Sequence, residues 1–349
     1  MLTDRALQIE VLINSPGPHD QVRVREPFLA LKARGIDVRL HERPFRFNSC
    51  IRPHSLVIWQ RPLPENRQRQ WEHLQWLRQR GCLLLTEWDD HPDLFPKPVR
   101  TKLLEMNWAP LVLCHALHTS STTLASTLES KQPLALVLEN TLAEIPPLNL
   151  DKHKHASLQI LIGNQNRGVE HSALLGDLYE WLKADHHLTL VIVGDQAMAS
   201  SLPKERVRFY GLLPYQQYRQ LLGQCHIALL PLQRSLQNAC KTPIKLLECA
   251  AESVATVSGP ELYEKQSFHG ISIHANHLSD IVPLARSLAL KQAERAELTK
   301  KAYLWANQIG KLEQSLNYRS WLYSQIWKHR HALDQHVKYR LGLDGSFSA

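Results

Sequence analysis

PLQRSLQNACKTPIKLLECAAESVATVSG, residues 231–259, is the stretch on which the reading of this chain turns. Thr242-Pro243 reads as a helix start, with Thr as N-cap and Pro at the first helical position, where its missing N–H is no loss. The helix PIKLLECAA offers Leu246, Leu247 and Ala250 to a core and then passes into the strand VATVSG. The unpaired N–H groups of a first helical turn, aided by the helix dipole, favour an anion. Lys241 precedes the cap and Lys245 lies one turn on, so two cations flank those donors, an arrangement that suits a diphosphate. Glu248, three residues after Lys245, could accept hydrogen bonds from ribose hydroxyls. The same residues also fit a solvated Lys/Glu helix with no ligand, and this segment alone leaves both readings open.

Outward from that stretch, short Val/Ile/Leu-rich runs alternate with segments of helical period, the pattern of βαβ units around a parallel sheet. IEVLIN (9–14), IDVRL, SLVIWQ (55–60), CLLLTEW and LALVLEN read as strands of a first domain. Helices fall near 23–34 and 65–80, stopped by Gly35 and Gly81. LQILIG (158–163), LTLVIVGD, VRFYG, IALLPL and VATVSG belong to a second. Between them, periodicity lapses from Thr141 to Ala156 around Pro146-Pro147, as a linker would. The expected organisation is an acceptor-side domain at 1–145, a linker at 146–156 and a nucleotide-binding domain at 157–310. A crossover helix at 311–335 and a frayed tail at 336–349 complete it. Two doubly wound domains facing one another leave a cleft at the carboxyl ends of their strands, where ligands bind in this architecture.

Composition bounds the partners. The 349 residues, at about 100–200 per domain, suit two domains, and 44% apolar with 21% charged residues excludes wholesale disorder and fibrous classes. Forty-one Lys+Arg against 33 Asp+Glu give a net charge of +8, which favours an anionic partner. From residue 151 onward there are 23 Lys+Arg and 17 Asp+Glu, against 18 and 16 before it, so most of the excess lies in the second half. Six cysteines in apolar runs, with no C-x-x-C pair, read as buried thiols in a reducing compartment. The first residues show no signal peptide, and no apolar run approaches the roughly 20 residues of a membrane span. A cytoplasmic location is expected.

The order of these segments resembles the carboxyl-terminal domain of GT-B glycosyltransferases, in particular the large retaining nucleotide-sugar group. The resemblance rests on Val207-Arg208-Phe209-Tyr210-Gly211, on Leu229-Leu230-Pro231 and on the K-x-x-E-x-x-A run of Lys245, Glu248 and Ala251. Leu161-Ile162-Gly163 with 164–167, Val193-Gly194, and Val137 to Asn140 extend it upstream. It implies an α/β fold of two doubly wound domains with a last helix crossing back onto the first. It further implies that Gly163, Arg167, Lys241, Thr242, Lys245 and Glu248 bind the donor, Glu248 holding the ribose and the lysines the diphosphate. Lys245 would also act in catalysis. No cofactor and no obligatory metal are implied, and the donor half contains no compact Asp-x-Asp motif.

There are departures. The first acid of the usual Glu-x7-Glu motif would fall at Cys240, and the Gly and Pro of A-x-G-x-P are Ser253 and Ala255. On the acceptor side, Asp89-Asp90-His91-Pro92 ends a buried-looking strand and resembles an acidic loop of relatives with the same donor motif. A carboxylate there, Asp89 or Asp90, could orient or deprotonate an acceptor hydroxyl; the alternative is a loop that only caps the next helix. His19 is a second candidate base, suited to inversion. Arg23 and Arg25 either meet an anionic acceptor or form a solvated face.

Other features point less far. No His group has metal-ligand spacing. In RQRQWEHLQWLRQRG, Trp71, Leu74 and Leu77 share a helical side, which favours core packing over nucleic-acid contact. The segment 311–333 is a basic amphipathic helix with Leu316, Trp321 and Ile326 among its apolar positions, suited to crossing back or to touching an anionic membrane. The expected activity is transfer of a sugar from a nucleotide-diphosphate-sugar to a hydroxyl of a glycan, lipid-linked or protein acceptor, with retention, in cell-surface glycan synthesis. Contact with the inner face of a membrane is a further expectation, and nucleic acid is not expected as a partner. A catalytically silent protein of the same fold is the alternative.

Overall fold

The computed structural model describes residues 6–155, 157–163, 168–263 and 268–342. The chain divides into two units: the described residues up to Ala143 together with those from Leu312, and Glu144–Lys311.

Unit 1 is built on β1 (Gln8–Ile13), α1 (Glu26–Ala33), β2 (Asp37–Glu42), β3 (Leu56–Gln60), α2 (Arg67–Gln79), β4 (Leu83–Glu87), α3 (Lys97–Glu105), β5 (Ala116–Thr119), α4 (Thr122–Leu128) and β6 (Ala135–Val137). The strands form one parallel sheet in the order β2-β1-β3-β4-β5-β6. β3 and β4 are buried along their whole length, as expected of central strands covered on both faces. α1 and α2 end at Gly35 and Gly81, both in the left-handed region that glycine enters without strain. On α2, Leu74 and Leu77 face the core. Trp76 packs on Phe47 and beneath the Arg80 guanidinium, so the core reading of that Arg/Trp segment holds.

Unit 2 repeats the plan. β7 (Leu158–Gly163), α5 (Leu175–Ala184), β8 (Leu188–Val193), β9 (Val207–Tyr210), α6 (Tyr215–Gly223), β10 (Ile227–Leu230), α7 (Ile244–Ala251), β11 (Ala255–Ser258) and the short β12 (Ile273–His274) precede α8 (Ile281–Leu290) and α9 (Gln292–Ile309). The sheet order is β12-β11-β10-β7-β8-β9, again all parallel. A short helix at Gly168–Ser172 precedes α5. The second half of the Pro-rich segment is tied to this unit. Lys152 Nζ donates to the Gly223 and Glu252 carbonyls at 3.0 and 2.8 Å, and Tyr303 Oη donates to the Pro146 carbonyl at 2.9 Å.

From Leu312 the chain re-enters unit 1, where the Leu312 N–H donates to the Leu142 carbonyl at 2.9 Å. α10 (Leu312–Lys328) buries Leu312, Leu316, Tyr323 and Trp327 against the sheet's helix layer. Trp321 does not share that face; it is 54% exposed. The reason is geometric: at about 100° per residue, Tyr323 returns nearly to the azimuth of Leu316, whereas Trp321 lies far round the helix. A second correction concerns the tail. The chain stays helical from Arg330 to Leu341 as α11, capped by left-handed Gly342. Buried Asp334 anchors it, accepting from Arg78 Nε at 2.6 Å and Nη2 at 3.1 Å.

Candidate functional site

In a doubly wound sheet, ligands bind beyond the carboxyl ends of the strands where the strand order reverses. In unit 2 that point lies between β7 and β10; in unit 1 it lies between β1 and β3.

At the unit 2 switch point, β7 ends on Gly163. A Cβ there would lie 3.0 Å from the Tyr218 ring and 3.1 Å from Leu161, so glycine is what lets α6 approach the strand end. Tyr218 is 7% exposed and carries the Lys245 ammonium 4.2 Å from its ring centroid. Lys245 Nζ also lies 3.0 Å from Glu248 Oε2, a carboxylate that is itself buried. Burial, with the Glu248 charge beside it, raises the Tyr218 phenol well above its ordinary range, so it stays a neutral donor. Gly163, Lys245 and Glu248, chosen from sequence, are thus brought into one cluster, and Tyr218 completes it. Tyr218 was not foreseen, because its spacing with Leu221 and Leu222 reads as an ordinary core face. Arg167 lies outside the described residues.

The approach to α7 differs from expectation by one residue. Pro243, not Thr242, precedes the first helical residue, and no side chain caps the helix. A short helix at Leu236–Ala239, capped by Ser235, comes first, and the Lys241 N–H closes its turn onto the Asn238 carbonyl at 3.1 Å. Lys241 and Thr242 therefore form part of a link between two helices. Both remain half-buried beside the start of α7.

The departures are accommodated structurally. Ser253 sits at φ 57°, the conformation glycine would take, and its Oγ accepts from the Asn149 N–H at 3.0 Å. Cys240 is fully buried, a thiol where an acid would stand. Nearby, His171 Nδ1 lies 2.5 Å from Asp195 Oδ2, joining the Gly168–Ser172 turn to the loop after β8.

At the unit 1 switch point, the Gln60 amide oxygen accepts from the N–H groups of Asn14 and Ser15 at 3.1 and 2.9 Å, knitting the ends of β1 and β3. Arg61, at φ 43°, turns its guanidinium onto Asp89 at 2.7 and 2.5 Å and reaches Asp90 at 3.4 Å. Arg23 Nη1 pairs with Glu87 at 2.9 Å and Asp89 at 2.7 Å. Asp89, one of the two expected bases, is therefore held between two guanidiniums; Asp90 is the more exposed of the pair. His91, not an aspartate, caps the following turn.

Arg23 and Arg25 form no solvated face, because Arg25 pairs with Asp20 and Glu42. Burial, with Arg61 and Arg23 nearby, lowers His19 to about 3; it is neutral at pH 7 and a weak base. Among the described residues no group of three or more His, Cys, Asp or Glu could hold a metal.

No protein-family model matches the sequence, and no curated protein matches it. Solved structures do. Sucrose-phosphate synthase from Thermosynechococcus elongatus superposes with a TM-score of 0.67 at 11% identity, covering 92% of this chain and 99% of that one. HepE from Anabaena, in complex with UDP and glucose, gives 0.63 at 12% identity over 91% of this chain and 100% of its own. A glycosyltransferase from Rickettsia africae gives 0.61 at 12% over 93% and 99%. The chain has the GT-B fold. At such identities the likeness is one of architecture, shared over most of the chain. In this GT-B protein the Gly163–Tyr218–Lys245–Glu248 cluster occupies the switch point of unit 2, and the Arg23–Arg61–Asp89 cluster that of unit 1.

Proposed function

We propose that this protein is a nucleotide-sugar-dependent glycosyltransferase. The observation that carries the reading is the convergence of Gly163, Tyr218, Lys245 and Glu248 from three elements at the carboxyl edge of β7, in a GT-B fold. Glu248 accepts hydrogen bonds from the donor's ribose hydroxyls. Lys245 has three N–H donors, so it can keep Glu248 and still turn one toward the diphosphate. Lys241 and Arg167 add positive charge to the same anion, and Thr242 stands beside it. As the bond from the anomeric carbon to the diphosphate oxygen breaks, the electron pair leaves with the nucleoside diphosphate, and preorganised cations lower the barrier. Retention of configuration fits the donor motif, and the neutral, weakly basic His19 argues against an inverting base at that residue.

The acceptor hydroxyl, on a glycan, lipid-linked or protein substrate of cell-surface glycan synthesis, binds at the unit 1 switch point, where Asp90 is the better placed carboxylate to take its proton. The HepE complexes hold UDP and glucose or UDP-glucose, which makes UDP-glucose the first donor to test. A thermal-shift screen of UDP-, GDP- and ADP-sugars tests the reading, because a ligand bound only by the folded state raises the melting temperature. One nucleotide class should do so, and Glu248→Ala should remove the shift. No shift with any of them overturns the reading. The buried Cys240 thiol favours one other outcome, donor binding without turnover, which would mark a silent member of the fold.

Peripheral membrane contact, from a cytoplasmic location, is carried by α10. Its outward face holds the stacked pair Tyr318 and Trp321, both more than half exposed, with Lys328 about two turns beyond Trp321. Amphipathic rings beside cations suit an anionic lipid surface. Co-sedimentation with phosphatidylglycerol vesicles should fall on Trp321→Ser.

A further inference from the structure

The unit 1 switch point carries a statement about what it binds. Two guanidinium groups stand there, Arg23 and Arg61, and both are engaged by carboxylates. Arg61 is held by Asp89 and Asp90, and Arg23 by Glu87 and Asp89. The largest charge effects on His19 and Arg61 come from Arg23, Arg61, Glu87, Asp90 and Asp20, and Asp20 is itself paired with Arg25. His19 is neutral. The local sum is two cations against three carboxylates, with a balanced pair beside them. An anionic acceptor needs surplus positive charge; this cluster has none.

It offers instead donors and acceptors side by side. Arg23 Nη2 and Glu87 Oε2 are buried and without a hydrogen-bond partner, although the same two side chains are joined through Nη1 and Oε1 at 2.9 Å. Each side chain is more than nine-tenths buried, so one guanidinium NH2 group and one carboxylate oxygen remain unsatisfied in adjacent side chains. Leaving both so is costly, which points to a ligand able to meet both. A sugar hydroxyl is a donor and an acceptor at once. Beside the cluster, Phe95 lies 5.4 Å from the Arg61 guanidinium and packs 5.4 Å from Trp88, whose Nε1 is also buried without a partner. Half-buried Phe95 gives the apolar face of a pyranose something to lie on.

We infer that the unit 1 switch point recognises an uncharged polyhydroxylated acceptor, a glycan or glycoside ring without phosphate or carboxylate, positioned by Arg23, Glu87, Arg61 and Asp89. This rests on the glycosyltransferase reading, but its test does not require turnover. Saturation-transfer NMR on the full chain compares neutral mono- and disaccharides with the corresponding sugar phosphates and uronates, at low and at 0.5 M salt.

The expected result is saturation of the neutral sugars, changing little with salt, and at least tenfold weaker binding of the charged ones. Asp90→Asn, at the most exposed carboxylate, removes one negative charge while leaving the pairs made by Glu87 and Asp89 in place, and should narrow that gap at low salt. Phe95→Ala should weaken the neutral sugars. Preferential binding of the phosphates or uronates by the unmodified protein overturns the inference, as does binding of neither class. A protein that binds neutral sugars here but gives no thermal shift with any nucleotide sugar would retain this inference and lose the transferase reading.

Discussion

A methyl group at residue 163 would meet the Tyr218 ring at 3.0 Å, so Gly163→Ala has to displace α6 or the ring that carries Lys245. Overpacking of this kind costs about 1–3 kcal/mol. The expected outcome is a lower melting temperature together with weaker nucleotide binding, whereas Gly176→Ala, with open space about the added methyl, should leave donor binding unchanged; thermal denaturation with and without nucleotide checks both. Glu248→Ala removes a buried acceptor that pairs with Lys245 at 3.0 Å. A hydrogen bond to a charged group is worth about 1.5–3 kcal/mol, so calorimetry should show donor affinity falling roughly 10- to 100-fold, with Lys245→Ala in the same range. Lys245 and Glu248 were readable in the sequence because their spacing puts them one helical turn apart. Tyr218 was not, since an aromatic on an amphipathic helix is indistinguishable from core until the strand end it touches is known. The ion pairs of Arg23 and Arg61 were equally hidden, joining the helical segment before α1, the residue after β3 and the end of β4 through contacts that no local spacing encodes.

At the scale of elements, the C-terminal helices hold a buried polar joint in unit 1. Arg78 of α2 and Asp334 of α11 are both about 1% exposed. The Leu84 N–H donates to His115 Nδ1 at 2.9 Å, so the His115 proton lies on Nε2, which faces Asp334 at 3.4 Å. Asp334→Ala leaves a buried guanidinium unpaired and should cost about 3–5 kcal/mol in denaturant unfolding. The double variant Arg78→Met/Asp334→Leu should recover much of that loss, since it removes both charges together. Burial pushes the Asp334 carboxyl upward, yet hydrogen bonds from His115 and Arg78 hold it down to about 2. Its contribution is therefore complete above pH 4 and is lost between about 4 and 2. The strands and the longer helices were legible from alternation and Gly punctuation. α11 was not, because its anchors are one buried aspartate, Val337 and the Arg340 contacts with the Val112 and Cys114 carbonyls, not a continuous apolar stripe.

At the scale of the whole molecule, burial lowers the pKa of six histidines among the described residues. His19 and His118 fall to about 3 and His73, His153 and His226 to about 4, with His115 lowered too. Unfolded, each would titrate near 6.5. The unfolded chain then binds more protons, so stability is highest above pH 6.5 and declines as pH falls toward 4, each histidine steepening the slope by up to about 1.4 kcal/mol per pH unit. Urea midpoints should hold from pH 8 to about 7 and then fall with growing slope to pH 5; a flat profile would show these rings hydrated. The two-unit plan was legible because parallel strands buried on both faces announce themselves as apolar runs, and the net positive charge of the second half suits the anionic ligand proposed there. The unit 1 charge balance required three-dimensional pairing. The central claim is that the unit 2 switch point binds and cleaves a nucleotide sugar, and release of nucleoside diphosphate from UDP-, GDP- and ADP-sugars by the purified full chain tests it most directly. Release from one nucleotide class, abolished by Glu248→Ala, is the result expected; no release from any donor, with or without neutral glycan acceptors present, would contradict it.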